Sequence, residues 1–252
     1  MTISHMELLF NDRLAPITTS IGFIEGECSH VVNKFIEWRE ENKKFDPSIR
    51  KIKSHAVVSN LEQTLRNLLP LRMIQSTRYL FIPTTGEWTA YFDNNYRGTD
   101  SSVISYLPKL LQSRSIWIVA EPHTLRREGN TIRGRQGALL IEVYGHEQRE
   151  WLNLIRKIRL ENNKGKWEFE VDGEPFPFEE TERYEAKRKT DRFDFDMLKR
   201  YLIALGLSPF EEDYYLPPYN KNAVLVEISK KNPMRNKDIG LEEARLLNHI
   251  YD

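Results

Sequence analysis

Cys28 is the single cysteine of the 252-residue chain, which excludes an intramolecular disulfide and any zinc or iron-sulfur centre built from several thiolates. Long apolar runs are absent as well, and nothing approaches the ~18 residues of a membrane-spanning helix. The opening stretch MTISHMELLF lacks a basic region followed by an apolar core and a small-residue cleavage site. An excess of one charge is also missing. Lys plus Arg and Asp plus Glu both number 37, so no bulk field draws the chain to nucleic acid or to an anionic membrane. No glycine-rich phosphate motif and no metal-ligand pair at helical spacing occurs. These absences lead us to expect a cytoplasmic protein with no cofactor, no metal and no nucleic-acid or membrane partner.

What is present is enough apolar sequence, 40%, to build a core. The segment PITTSIGFIEG predicts a strand ending at Gly26, and Ser29 is placed to cap a helix that buries Val31, Val32, Phe35, Ile36 and Trp38. A second helix is expected from Ser59, with Leu61, Leu65, Leu68 and Leu69 in helical spacing and Pro70 as its stop. The period then changes: RYLFIP and EWTAYFD flank TTG as two strands around a short turn. Asp100 can cap SSVISYLPKLL, and SIWIVAE and GALLIEVYG read as strands on either side of a polar, basic hairpin loop from Glu121 to Gln136.

The next segment, HEQREWLNLIRKIRLENN, has Trp151, Leu154, Ile155 and Ile158 at helical spacing and predicts an amphipathic helix. With it, the strand-Glu-Gly-helix order of residues 20–44 recurs, which raises the possibility of a duplicated unit. A hairpin is expected around Asp172-Gly173, a helix from an Asp194 cap to a Gly206 stop, and a last strand at NAVLVEIS. The expected fold is α+β, a mixed or mostly antiparallel sheet with helices packed on one face. Residues 1–178 would form the core domain and 179–252 a C-terminal extension packed on it.

Four groups of residues could carry function. In WTAYFDNNYRGTDSS, Asp93 falls at a strand end and Asp100 at a helix start, an arrangement open to cation binding or acid-base work. The simpler account makes Asp93, Asn94 and Asn95 turn formers and Asp100 a cap. Glu121 and His123 could form a general-base pair, and Arg126, Arg127, Arg133 and Arg135 an anion site, against the plainer reading of a solvated hairpin tip. His146 and Glu147 open the expected helix, and Cys28 beside a helix start reads as an inert thiol. Finally, Phe210, Tyr214, Tyr215 and Tyr219 among Glu211, Glu212 and Asp213 suit a protein-contact surface of aromatics with an acidic rim.

The run GEWTAYFDNNYRGTD, with SYLPKLL and PFEEDYY after it, resembles an uncharacterised family of bacterial cytoplasmic proteins associated with toxin-immunity or accessory roles. That resemblance implies a non-catalytic interaction protein, an immunity-type inhibitor of a partner enzyme, and brings no catalytic residue. The alternative is a hydrolase or phosphate-handling enzyme using Asp93, Asp100, Glu121 and His123, which requires the fold to bring those four together.

Overall fold

The computed structural model describes residues 6–129, 131–147, 149, 153–217, 222–231 and 237–250. After a 3₁₀ turn at Leu9–Asp12 the elements are β1 (Ser20–Glu25), α1 (Cys28–Glu41), β2 (Ile49–Val57), α2 (Leu61–Arg66), β3 (Leu71–Arg72), β4 (Arg78–Pro83) and β5 (Trp88–Asp93). Then come α3 (Ser101–Leu111), β6 (Ser115–Glu121), β7 (Arg126–Glu128), β8 (Thr131–Arg133), β9 (Ala138–Tyr144), β10 (Leu154–Asn163) and β11 (Lys166–Asp172). The chain closes with α4 (Phe195–Ala204), β12 (Ala223–Lys230), β13 (Asp238–Ile239) and α5 (Leu241–Leu247).

Nine strands form one sheet in the order β11-β10-β9-β6-β1-β5-β4-β12-β2, every pair antiparallel. The α+β class is therefore correct, but the helices are not confined to one face. Alternation along β5 explains why: Trp88, Ala90 and Phe92 join one apolar cluster, Tyr91 the other. On the first face the 3₁₀ turn, α2, α4 and α5 bury Leu9, Leu65, Leu198 and Ala244. On the second face α1 and α3 bury Val31, Phe35, Ile104 and Leu107. A sheet with two apolar faces has to be covered on both.

Local signals set several helix starts. Asp100 accepts from Ser102 N at 2.8 Å and Asp194 from Met197 N at 2.8 Å, both as N-caps. Asn60, rather than Ser59, caps α2 by accepting from Gln63 N at 2.9 Å. Helix α1 starts at Cys28, so Ser29 lies inside it and is not its cap.

Two sequence expectations fail between Leu154 and Gly173. The predicted amphipathic helix is instead strand β10, on which Leu154, Arg156, Ile158, Leu160 and Asn162 are buried in alternation. Leu154 and Ile158 satisfy both periods, and pairing with β9 on one side and β11 on the other decides for the strand. Trp151 lies outside the described residues. Because β10 follows β9 where α1 follows β1, the two segments do not share a local fold among the described residues. The second failure is the hairpin, whose turn lies at Lys164 and Gly165, both at positive φ, and not at Asp172-Gly173. Gly173 instead passes so close to β10 that a Cβ there would sit 2.0 Å from the Ile155 carbonyl oxygen.

The C-terminal segment does not simply rest on the sheet. Strand β12 inserts between β4 and β2, so β2 joins the sheet only through a strand from beyond residue 220.

Candidate functional site

Asp93 is 2% exposed, and its carboxylate is fully used. Oδ1 accepts from Ser76 Oγ at 2.8 Å and Asn95 N at 2.9 Å, and Oδ2 accepts from Asp100 N at 3.1 Å and Tyr91 OH at 3.4 Å. Burial pushes its pKa up to about 6, against the lowering effect of those hydrogen bonds. Its neighbour Asn94 is also buried and knits three segments: Oδ1 accepts from Thr77 N and Arg78 N, while Nδ2 donates to the Pro70 carbonyl at 2.9 Å. The turn therefore fastens the fold, and the reading of Asp93 and Asp100 as turn and cap holds.

Glu121 and His123 lie at the end of β6, separated from β5 by β1. Burial raises Glu121 to about 7, with Arg135 opposing and Asp12 adding to the shift. His123 is held below its ordinary value by burial; its Nδ1 accepts from Gly137 N at 3.2 Å and its ring packs 5.1 Å from Trp167. Among the described residues no hydrogen bond or ion pair connects this pair to Asp93 or Asp100. The arginine site also separates. Arg135 is buried and pairs with Asp12, whereas Arg126, Arg127 and Arg133 are exposed on the β7–β8 hairpin.

The aromatic contact surface is corrected as well. Tyr214 and Tyr215 are buried, donating to the Gly206 carbonyl at 3.1 Å and the Pro209 carbonyl at 2.8 Å, and Phe210 packs 4.9 Å from Phe195. These rings close the end of the first-face core against Phe23 and Phe92. Glu211, Glu212 and Asp213 remain exposed, and Tyr219 lies outside the described residues. His146 and Glu147 are exposed in a bend after β9, and among the described residues no helix follows them before β10.

A different place gathers charge. At one end of the first face a cleft of about 510 Å³ is lined by Arg50, Lys51, Lys53, Arg72, Arg78 and Lys230, with two carboxylates among the described residues, Glu227 and Asp238. Its floor is the sheet itself, where the rows Lys53–Glu227–Arg78 and Lys51–Ser229 run across β2, β12 and β4. Its wall carries Pro70, Arg72 and Asn94, so the Asn94 hydrogen bonds fix the wall against β4. Several cations are already engaged. Arg78 pairs with Glu227 at 3.2 Å, Arg72 with Asp238, and Lys230 with Asp46 at 2.6 Å, which holds the Asp46 carboxyl down to about 2. Arg50, Lys51 and Lys53 are exposed and have no ion-pair partner among the described residues.

These three lie on β2, the outermost strand at this edge of the sheet, so its outward backbone N–H and C=O groups face no other strand among the described residues. The cleft thus combines cationic side chains with an open strand edge. Among the described residues no aromatic side chain lines it. Sequence reading missed it because the chain's zero net charge hides a local excess. The available signal was IRKIKSH, four basic or imidazole side chains in seven residues.

Comparison with protein-family models, with curated proteins and with solved structures finds no match in any of the three.

Proposed function

We propose that this chain is a non-catalytic protein-binding module that captures an acidic, extended segment of a partner along the β2 edge. The observation that carries this reading is the coincidence, among the described residues, of an outer strand with no second strand partner and three cations with no ion-pair partner, beside a cleft richer in cations than in acids. Strand addition supplies main-chain hydrogen bonds, and alternate side chains supply the specificity. Lysines alone would serve to blunt an edge against aggregation. Here the basic surface continues off the strand onto Arg72 and Arg78, which edge protection does not require. A nucleic acid is supported less well, because among the described residues no aromatic ring lines the cleft for base stacking. In an immunity-type role, the captured segment would belong to the enzyme being inhibited.

The test is fluorescence anisotropy with a labelled peptide of alternating glutamate and threonine, compared with a labelled single-stranded oligonucleotide. The peptide should bind, more weakly as salt rises. Two exposed charge pairs at roughly 0.5–1 kcal/mol each correspond to about a tenfold loss in the Lys51→Glu/Lys53→Glu variant. Equal binding by that variant, or binding of the oligonucleotide in place of the peptide, overturns the reading.

A further inference from the structure

The sheet ends in two outer strands of opposite charge. At one end β2 presents Arg50, Lys51 and Lys53; at the other β11 carries Glu168, Glu170 and Asp172 against one lysine of its own, Lys166, and since Glu170 is engaged by Lys157 and Arg159 of β10, Glu168 and Asp172 are the acids left to meet a partner. Neither strand has a second strand partner among the described residues. Pairing β2 with β2 of another copy would oppose cations, and pairing β11 with β11 would oppose acids. Only β2 with β11 is complementary.

Geometry then selects one way of joining them. Lys51 and Lys53 share the parity of Val57, which belongs to the first-face core, so they lie on the first face. Trp167 and Phe169 pack against that same core, which puts Glu168, Glu170 and Asp172 on the second face. Nine strands with every pair antiparallel leave β2 and β11 running in the same direction within one molecule. A copy moved sideways without rotation would therefore pair in parallel, with its acids on the face away from Lys51 and Lys53. A half turn about the axis that lies in the sheet across the strands reverses strand direction and exchanges the faces together. That one operation gives an antiparallel β2–β11 pair, continuing the pattern of the sheet, and brings the acids onto the face that carries Lys51 and Lys53.

We infer that the acidic strand taken by β2 is β11 of a second copy of this chain, joined head to tail by this half turn; the inference rests on the reading of β2 as an acceptor of acidic strands. Because the contact is heterologous, each added copy leaves a free β2 at one end and a free β11 at the other, so association continues beyond the dimer.

Sedimentation velocity of the full chain tests this. Wild type should show a sedimentation coefficient that rises with concentration and falls back as salt is added. Lys51→Glu/Lys53→Glu alone and Glu168→Lys/Asp172→Lys alone should stay monomeric, because each opposes like charges; all four positions are solvent-accessible, and an unchanged circular dichroism spectrum verifies folding. Mixing the two variants should restore association, since the acidic β2 of one meets the basic β11 of the other. A wild type that stays monomeric while still binding the acidic peptide overturns self-association and leaves the edge reading intact. Variants that associate as wild type does, or a mixture that does not, also overturn it. Failure of both peptide binding and association removes the edge reading itself.

Discussion

The pair Arg156–Glu179 allows a stability prediction to be worked from contacts. Both side chains are buried, at 4% and 0% exposure, with Nη2 to Oε2 at 2.6 Å and Nε to Oε1 at 3.0 Å. Glu179 also accepts from Phe176 N at 2.9 Å and Tyr184 OH at 2.9 Å, while Arg156 donates from Nη1 to the carbonyls of Asp172 and Gly173. The cluster thereby fastens the chain after β11 to the start of β10. Glu179→Gln keeps the shape but removes the charge, leaving the guanidinium buried without a counterion. Breaking a buried pair from one side costs about 3–5 kcal/mol. Arg156→Met/Glu179→Leu removes both charges and should cost less than Glu179→Gln: the Tyr184 hydroxyl keeps Tyr201 at 3.3 Å, the carbonyls of the exposed Asp172 and Gly173 can turn to water, and the Phe176 N–H is left unmet at about 1–3 kcal/mol. Urea unfolding followed by circular dichroism measures all of these, and native-state hydrogen exchange should show protection lost first near residue 176. A Glu179→Gln variant within about 1 kcal/mol of wild type would refute the argument, since no uncompensated charge would then be buried.

Asp93 ionises at about 6 in the folded chain against an ordinary 3.8, so between those values the native state holds a proton that the unfolded state has lost. Asp93 should therefore contribute a fall of about 3 kcal/mol as pH rises through that window, beside the fall that Glu121, raised to about 7, adds up to its own value; Asp93→Asn should remove the Asp93 share and make this part of a pH series of urea titrations shallower, and an unchanged slope would count against it. At the start of α3, Asp100→Asn should be nearly silent and Asp100→Ala should cost about 1 kcal/mol, read by calorimetry; equal effects of the two would deny the cap its role. Cys28, 8% exposed, should react slowly with a thiol reagent until denaturant is added, and rapid labelling of the folded protein would contradict its burial.

Much of the local structure was legible. Asp100 and Asp194 signalled helix starts because a cap needs only a side-chain oxygen two or three residues before the N–H it serves. Strands β1, β4, β5, β6, β9 and β12 were likewise readable from short apolar or alternating runs. The role of the Asp-Asn turn after β5 was also correctly weighed, since turn chemistry is local.

Other features depended on partners far along the chain. Leu154 and Ile158 fit a helix as well as a strand, and the deciding facts were the two neighbouring strands and a distant Glu179 able to neutralise Arg156 inside the sheet. Tyr214 and Tyr215 sit in a proline-rich, acidic stretch that reads as surface, yet they fill the gap at the end of a core built from Phe23 and Phe92. The basic cleft draws on side chains from residue 50 to residue 230, and those meet only because β12 inserts between β4 and β2. Composition, periodicity and capping determined the α+β class and most element positions, because they act within a few residues. Strand neighbours, the second layer of helices and the charged cleft were decided by tertiary structure, because convergence of distant side chains leaves no periodic trace in the chain.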